Sequence, residues 1–395
     1  MKFKLDPVPE LDLSVFRGVM KVLTEQGIEG FSPVLQLLLN EAMKAERSEH
    51  LHAQPYERTE ARQGQANGFK SKTLLTRSGP LELSIPQVRD SSFYPQALEK
   101  GSRSEVALKL ALAEMYVTGV STRKVTQITE KLCGTSISST QVSRVCKALD
   151  EGLTQFRERS LVASCFRYVY LDATYQRIRY NGVVRNLAVL VAIGVNAEGR
   201  RELLGVCVSL SEAEVYWRDF FQTLVTRGLF GVSLFVSDDH AGMRAAREAI
   251  FPTVPWQRCQ FHLAQNAQGY APNRGMREEI GQAMRDIFNS PSAVHAQEML
   301  NQVVAKYAKS APKFAAWLET NGIEGFTVFQ FPRDHWKKLR TSNVIERINR
   351  EIKRRTRVAT LFPNEESCLR LVSAVLQEIH EEWTTARLYL DMTQV

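Results

Sequence analysis

The chain has 395 residues, 44% of them hydrophobic, and its formal net charge is +8. This length and apolar content exclude a short peptide or a disordered tail, and they predict two to four domains of roughly 150 residues each. The longest apolar stretch, Leu187 to Val195, is far shorter than the ~20 residues of a membrane span, so we expect a buried strand and no membrane partner. The excess positive charge favours a polyanionic partner such as nucleic acid.

The cysteines and the first residues bear on the cellular compartment. The chain starts Met-Lys-Phe-Lys, without an apolar signal core. Both this start and the absence of a paired cysteine framework predict a reducing, cytoplasmic location. The six cysteines are scattered along the chain: Cys133, Cys146, Cys165, Cys207, Cys259 and Cys368.

The first 100 residues divide into two predicted regions. An apolar stripe with helical spacing follows Ser32-Pro33, which predicts a helical region over residues 1–60. Apolar residues then alternate from Leu81 to Ile85, after a Ser-Gly-Pro turn. This alternation predicts a small β-hairpin region over residues 61–100.

Two short helical patterns on either side of Gly134 predict a helix-turn-helix domain over residues 101–160. In that arrangement the second helix enters the major groove of DNA and the first crosses the backbone. An ordinary pair of packed helices is an equally good interpretation of the pattern. If the motif binds DNA, the side chains expected to contact it are Arg123, Lys124, Gln141 and Arg144.

The pattern then changes from helices to strands. Asn181-Gly182 is a strong hairpin signal between two apolar runs, and a second turn leads into a third run. We therefore expect a three-stranded meander. Ser211 and Glu214 have the spacing of a capping box that opens a helix, and a further strand ends at Asp238.

Three acidic residues stand where a metal-dependent nuclease needs them. Asp172 and Asp238 each follow an apolar β-like run, and Glu346 lies on a helical segment crowded with arginine. Mg²⁺ prefers carboxylate oxygens, and two such ions roughly 3.5–4 Å apart can neutralise a phosphodiester and activate an oxygen nucleophile. The pattern predicts that the three carboxylates meet as one metal site. The alternative is that acidic residues at strand ends are incidental in a chain that has 43 of them.

The helical segment around Glu346 is strongly basic, and most of its cations lack an acidic partner within the segment. Phosphate is the natural counterion for such charge. The alternative for Glu346 itself is a simple pairing with Arg350, four residues further along the helix. The residues of this segment that we expect to contact DNA are Arg347, Arg350, Lys353 and Arg354.

Four short motifs occur in order along the second part of the chain. They are Tyr-Leu-Asp-Ala-Thr-Tyr around Asp172, Val-Ser-Asp-Asp-His-Ala-Gly-Met around Asp238, the Cys-x-x-His element of Cys259 and His262, and Ser-Asn-Val-Ile-Glu-Arg-Ile-Asn around Glu346. Together they resemble the motifs of the Mutator-type transposases of bacterial insertion sequences, the insertion sequence 256 family. The region upstream of them also looks like the DNA-binding half of that family.

This resemblance implies a mixed α/β fold. A ribonuclease-H-like catalytic core is expected over residues 161–255 and 336–395, in agreement with the predicted order of strands and helices. A large α-helical insertion is expected over residues 256–335. The helical and small β regions that precede the core are then the DNA-binding part of the protein.

The resemblance further implies a DDE transposase in which Asp172, Asp238 and Glu346 hold two Mg²⁺ or Mn²⁺ ions. Such an enzyme binds double-stranded DNA at the terminal inverted repeats of an insertion sequence, cleaves at the element ends and joins the 3′-hydroxyl to target DNA. It is expected to act as a homodimer or higher oligomer in the bacterial cytoplasm. Two alternatives remain: a ribonuclease-H-like nuclease that cuts without joining, and a catalytically inactive DNA-binding regulator.

Two positions near the acids have an open role. Asp239 is the rival of Asp238, but strand alternation places the two side chains on opposite faces, and the family pattern favours Asp238. Cys259 and His262 share one helix face, yet a tetrahedral zinc site needs further ligands that the spacing does not reveal. We therefore expect a structural role for this pair and no zinc.

Overall fold

The computed structural model describes residues 13–76, 78–89, 93–96, 98, 106–117, 120, 122–133, 137–147, 149–356 and 361–393. Its contacts divide the chain into two compact units. The first comprises residues 1–116 and 120–148, and the second comprises residues 117–119 and 149–395. The end of the predicted helix-turn-helix domain, residues 149–160, therefore belongs to the second unit.

The first unit contains a two-stranded antiparallel sheet that confirms the predicted hairpin. Leu81, Leu83 and Ile85 alternate with exposed residues and are buried against the second helix of the unit. This is the pattern expected when one face of a sheet packs on a core and the other faces water. The elements of this unit are α1 (Leu13–Gln26), α2 (Phe31–Leu51), β1 (Gln65–Thr76), β2 (Gly79–Arg89), α3 (Val106–Val117), α4 (Thr122–Cys133) and α5 (Ser139–Lys147), with a 3₁₀ turn at Gly27–Gly30.

The last three helices of this unit enclose a small apolar core. Val125 of α4 and Val142 of α5 are fully buried and pack with Leu108 and Leu112 of α3. The two predicted helices around Gly134 are thus confirmed as helices, while the turn between them lies outside the described residues. Their function in DNA binding stays a prediction.

The second unit is built on a five-stranded sheet with the strand order β5-β4-β3-β6-β7. The first three strands form the predicted antiparallel meander, and Asn181 and Gly182 adopt positive φ angles of 48° and 81°, as a tight hairpin turn of this sequence requires. The strands β6 and β7 run parallel to β3. The strands are β3 (Phe166–Tyr180), β4 (Val183–Asn196), β5 (Arg201–Ser209), β6 (Leu234–Ser237) and β7 (Trp256–Arg258).

Most of the helices of this unit have nine or more residues. Two further 3₁₀ turns lie at Gly322–Gly325 and Thr327–Gln330. The helices are α6 (Asp150–Glu158), α7 (Glu214–Thr226), α8 (Ala241–Ile250), α9 (Gln260–Gly269), α10 (Arg274–Phe288), α11 (Ala293–Tyr307), α12 (Pro312–Asn321), α13 (Arg333–Leu339), α14 (Asn343–Thr356) and α15 (Glu365–Thr385).

Two apolar cores stabilise the second unit. In the first, Trp217, Phe221 and Met243 of α7 and α8 cover the face of the sheet that carries Val169 and Leu171. The second lies among α9, α10, α11 and α12. The mixed α/β class is thus confirmed, with a mainly helical segment between the second and third predicted acids.

Two local expectations are wrong. The segment that begins at Trp256 was expected to be helical, but its first three residues pair with β6 as the short strand β7. The capping box is also wrong, because α7 begins at Glu214 with Ala213 as its N-cap and no side-chain cap. The Ser211 hydroxyl instead accepts a hydrogen bond from the Ala213 N–H at 3.3 Å, in the loop before the helix.

We searched the helices of the structure for a membrane-spanning segment. Within the described ranges, no helix has both the length and the apolar character needed to cross a bilayer.

Candidate active site

The first two predicted acids belong to neighbouring parallel strands: Asp172 lies within β3, and not after the end of a strand as expected, whereas Asp238 directly follows β6. Tyr170 of β3 lies opposite Val236 of β6, and the same register continued by two residues places Asp172 opposite Asp238. Because residues two apart lie on the same face of a strand, Asp172 points to the same side of the sheet as Tyr170, and Asp238 to the same side as Val236. The structure therefore brings Asp172 and Asp238 together where β6 ends.

The Asp172 carboxylate is held by neutral donors. The Ala173 N–H donates to its Oδ1 at 2.8 Å, and the Asn349 Nδ2 donates to its Oδ2 at 2.7 Å. Burial and then the negative charge of Asp238 raise the pKa of Asp172 to about 7, although the Ala173 hydrogen bond opposes the rise. Two carboxylates this close repel each other unless a proton or a cation lies between them. Their surroundings therefore fit a bound divalent cation.

The third predicted acid, Glu346 of α14, lies beside the Cys259 and His262 pair. An oxygen of Glu346 lies within 4.8 Å of ligand atoms of Cys259 and His262. The His262 ring in turn interacts electrostatically with both Asp172 and Asp238. The three acids, separated by up to 174 residues along the chain, thus share His262 as a common neighbour.

Asn349 links the helix of the third acid to the strand of the first. It lies three residues after Glu346, on the neighbouring turn of α14, and its bond to Asp172 spans 177 positions of sequence. Its other amide atom, Oδ1, is buried and has no hydrogen-bond partner among the described residues. Asn349 was not among the predicted site residues, although it closes the fourth motif.

Asp239, the alternative to Asp238, forms ion pairs with two arginines. Its two oxygens accept from Arg244 at 2.7 Å and Arg258 at 3.0 Å, and both arginines also bind Glu324 at 2.8 and 2.7 Å. Arg258 is almost completely buried, and Arg244 stacks over the Trp256 ring at 4.5 Å. This network holds the residue after Asp238 against β7 and the 3₁₀ turn at Gly322–Gly325, so Asp239 has a structural partner that Asp238 lacks.

A fourth carboxylate, Glu212, lies close to the first two. Burial raises its pKa, and the charge of Asp238 adds to the rise, against the lowering effects of His240 and a hydrogen bond from Tyr175. Its negative charge also acts on Asp172. The sequence analysis did not single out this residue, which lies in the short loop between β5 and α7.

Gly242 permits the close approach of α8 to the loop that carries Glu212. A Cβ atom at position 242 would lie 2.2 Å from the Glu212 carbonyl oxygen and 2.8 Å from the Glu214 nitrogen. Any larger residue would therefore push the loop away from α8. The glycine of the second motif thus fixes where Glu212 lies relative to the strand end of Asp238.

The Cys-x-x-His pair lies against the third acid. Burial alone would raise the pKa of the Cys259 thiol, but hydrogen bonds from His262 and Ser342 hold that pKa below its ordinary value. The hydrogen bond with Cys259 raises the pKa of His262 to about 9, although burial opposes it. Each group therefore favours the charged form of the other, as a thiolate beside an imidazolium.

Comparison with known proteins identifies the family. Residues 14–386 match the family described as "Transposase, Mutator family". This chain belongs to the Mutator family of transposases. The resemblance drawn from the four motifs is thereby confirmed, and the family extends over both units of the structure.

Several curated transposases of this family are similar to the chain over almost its whole length. It is 52% identical to the transposase for insertion sequence element IS406 of Burkholderia multivorans, covering 93% of this chain and 95% of that protein. It is 43% identical to the ISRM5 transposase of Rhizobium meliloti, covering 92% and 91%. It is 35% identical to the IS256 transposase of transposon Tn4001 of Staphylococcus aureus, covering 91% and 92%.

Among solved structures, the Drosophila P element transposase strand transfer complex aligns with 75% of this chain and 85% of its own chain. The TM-score is 0.32 and the sequence identity is 9%. A likeness of that size does not establish a shared fold.

The predicted DNA-contacting residues of α14 are all exposed, but they differ in their partners. Arg354 is bound by the Glu351 carboxylate at 2.6 Å. Arg347 and Arg350 line a groove of about 460 Å³ between α14 and α15, together with Trp383. In this Mutator-family transposase, Arg347, Arg350 and Lys353 thus have no ion-pair partner among the described residues, whereas Arg354 is paired with Glu351.

The predicted DNA-contacting residues of the first unit lie on α4 and α5. Lys124 and Arg144 are exposed, and the side chain of Arg123 lies outside the described residues. Gln141 forms a reciprocal capping box with Ser138: its Oε1 accepts from the Ser138 N–H at 2.8 Å, and the Ser138 hydroxyl accepts from its N–H at 3.2 Å. Gln141 therefore has a local role at the start of α5.

Proposed function

We propose that this Mutator-family transposase cleaves DNA at the ends of an insertion sequence and joins the freed 3′-hydroxyl to target DNA, with Asp172, Asp238 and Glu346 as its catalytic acids. One observation carries the proposal: side chains from β3, from the end of β6 and from α14 converge around His262. Carboxylates collected from three distant elements have little structural use, because each repels the others.

The sheet order supports a ribonuclease-H-like core. Three antiparallel strands are followed by two strands parallel to the first. Asp172 lies on β3, and Asp238 directly follows the neighbouring parallel strand β6. Ligand sites of open α/β sheets lie beyond the carboxyl ends of parallel strands. Asp238 follows the carboxyl end of β6 in this way.

The chain's own residues are arranged to hold cations against a phosphodiester. Asp172, Asp238 and Glu346 would bind two Mg²⁺ or Mn²⁺ ions, which when bound supply charge neutralisation at the phosphate and activation of an oxygen nucleophile. Asn349 fixes the orientation of the Asp172 carboxylate by its 2.7 Å hydrogen bond. The ion pairs of Asp239 fix the loop in which Asp238 lies.

The basic surface of α14 is the part of the catalytic unit that we propose contacts DNA. Arg347 directly follows Glu346, and Arg350 and Lys353 lie about one and two turns beyond it. All three are exposed, where double-stranded DNA entering the site would place its backbone. Contacts of this kind fix the orientation of a duplex without reading its sequence. We assign recognition of the terminal inverted repeats to the first unit, and we expect a homodimer or higher oligomer to pair two element ends.

The test uses labelled duplexes that carry the element ends, Mg²⁺ and a plasmid target. The wild-type chain is expected to give joined product, whereas Asp172→Asn, Asp238→Asn and Glu346→Gln bind the duplex but neither cut nor join it. Asp286→Asn is the matched control, because Asp286 is an exposed acid of α10 whose carboxylate binds Gln282.

Each other outcome assigns a different function. Cutting without joining by the wild-type chain would identify a nuclease, and binding without cutting would identify a regulator. Cleavage that survives in Asp172→Asn would remove the catalytic triad from the proposal.

A further inference from the structure

Three side chains of metal-binding type lie together next to the proposed catalytic acids. The Cys259 sulfur, a ring nitrogen of His262 and a carboxylate oxygen of Glu346 are all within 4.8 Å of one another. We propose that they bind one soft divalent cation of the Zn²⁺ class. Three protein ligands with one further position open are typical of zinc sites that are not purely structural.

The ligand chemistry selects against the ions of the proposed catalytic site. Mg²⁺ requires oxygen ligands in a nearly octahedral arrangement, and a buried cysteine and a histidine do not supply them. Thiolate and imidazole instead favour Zn²⁺ and similar ions. The two candidate sites therefore differ in the class of cation that each accepts, although Glu346 belongs to both.

Two atoms of this group lack partners in a way that a cation would remedy. The Glu346 Oε1 and the His262 Nδ1 are both buried, and neither has a hydrogen-bond partner among the described residues. A buried polar atom left without a partner is unfavourable for the folded state. Both atoms are of the types that coordinate zinc, so one bound ion would satisfy them together.

The scaffold holds the ligands in place before any ion binds. Cys259 is the N-cap residue of α9, and His262 lies in the first turn of that helix. The Ser342 N–H donates to the Cys259 sulfur at 3.4 Å, and the Gln260 N–H donates to the Arg340 carbonyl at 2.8 Å. These contacts fasten the start of α9 to the chain just before α14, which carries Glu346. Local spacing could not reveal this third ligand, and for that reason we expected no zinc from the sequence alone.

The experiment uses the full chain after removal of metals by a chelator. Zn²⁺ is titrated against a competing indicator, and Co²⁺ is used as an optical probe. We expect one ion per chain, a thiolate-to-cobalt absorption band in the near ultraviolet, and an X-ray absorption spectrum of the zinc form with one sulfur at about 2.3 Å and lighter ligands at about 2.0–2.2 Å.

The variants are Cys259→Ser, His262→Gln and Glu346→Gln. Each is expected to lower the affinity for Zn²⁺ by about 100-fold or more, since even the loss of an outer-sphere partner of a metal ligand costs 10–100-fold. Cys207→Ser is the control, because Cys207 lies on β5 and is not part of the group. It should bind Zn²⁺ as the wild type does.

Two results would overturn the proposal. One is a wild-type chain whose cobalt complex lacks the sulfur band, a result that does not depend on whether any variant folds. The other is unchanged Zn²⁺ affinity in Cys259→Ser. The proposal is independent of DNA cleavage: a chain that cuts DNA with Mg²⁺ and fails to bind Zn²⁺ contradicts this site alone, while one that binds Zn²⁺ and never cuts contradicts only the proposed function.

Discussion

Two groups of acidic side chains lie next to each other where β6 ends, and their surroundings differ. Asp239 and Glu324 are matched by Arg244 and Arg258, with all four contacts between 2.7 and 3.0 Å. Asp172, one strand away, is raised in pKa by burial and by its acidic neighbour Asp238. Consecutive residues of one loop thus belong to opposite electrostatic environments.

This difference separates structural acids from functional ones. Carboxylates paired with arginine are already neutralised and have no need of a metal ion. A carboxylate kept beside another one is costly for the fold, and strongly perturbed groups of this kind concentrate at functional sites. The comparison supports our proposal that Asp238, and not Asp239, is the metal ligand.

The largest effect is expected from Asp238→Asn compared with Asp239→Asn. Loss of a metal ligand should remove several kcal/mol of transition-state stabilisation, which corresponds to a fall in the cleavage rate of roughly 10³-fold or more. Asp239→Asn should instead lower the free energy of unfolding and leave most of the cleavage rate. Single-turnover cleavage and urea unfolding of both variants make the comparison.

The two variants are controls for each other, because they make the same chemical change at adjacent positions. Equal loss of cleavage in both, with equal stability, would show that the ion pairs of Asp239 do not distinguish the two acids. Saturating Mg²⁺ should be included, so that weakened metal binding is separated from loss of the chemical step.

The second-largest effect is expected at Arg258, the buried arginine that pairs with Asp239 and Glu324. Arg258→Met should lower the free energy of unfolding by about 3 kcal/mol, because it leaves Asp239 and Glu324 without their buried partner. Urea unfolding at neutral pH measures this change. Arg218→Met is the matched control, since Arg218 pairs with Glu214 on the exposed surface of α7 and exposed pairs contribute only about 0–1 kcal/mol. A similar, small effect in both would mean that the network contributes little to stability.

The contribution of Asp172 to the free energy of unfolding should depend on pH. The pKa of Asp172 is raised from 3.8 to about 7 in the folded protein, so the folded state binds its proton more tightly than the unfolded state does. Stability from this group is complete below pH 3.8 and is lost as the pH rises through about 7. In chelator, the metal-free wild type should therefore lose about 2–3 kcal/mol between pH 5 and pH 8 through Asp172.

Asp172→Asn removes that loss, because an amide does not titrate in this range. Its unfolding free energy should depend less on pH than that of the wild type, measured by urea unfolding at pH 5 and pH 8. Asp286→Asn, at an exposed position, should behave as the wild type. Parallel pH profiles for wild type and Asp172→Asn would show that Asp172 titrates normally in the folded chain.

The sequence was sufficient for those parts of the fold that depend on local patterns. The apolar runs of β3 and β4, with Asn181-Gly182 between them, define the meander, and the motifs place Asp172 and Asp238 at corresponding positions of two strands. The strand β7 was missed because three residues are too few to show an alternating pattern. The family itself was predicted from the order of four motifs and is confirmed.

The remaining part of the site depends on contacts between distant segments. The hydrogen bond between Asn349 and Asp172 joins α14 to β3, and no local periodicity reports such a pair. The ion pairs of Glu324 with Arg244 and Arg258 arise in the same way. Burial of Glu212 depends on the close approach permitted by Gly242. The acids could be predicted from sequence patterns, whereas the residues that contact them could be identified only from the structure.

The smallest effect applies the same comparison to the cations of α14. Arg350 and Arg354 both line the groove between α14 and α15, but only Arg354 of the two is bound by Glu351, at 2.6 Å. If α14 contacts phosphates, Arg350→Ala should weaken DNA binding about equally for all sequences and reduce the slope of log affinity against log salt by about 1. Arg354→Ala should change that slope less, because its charge is partly neutralised before DNA arrives. Fluorescence anisotropy over a series of salt concentrations measures both slopes, with Lys313→Ala of α12 as a control outside α14. Equal slopes for all three variants would place the DNA backbone on another surface of the transposase.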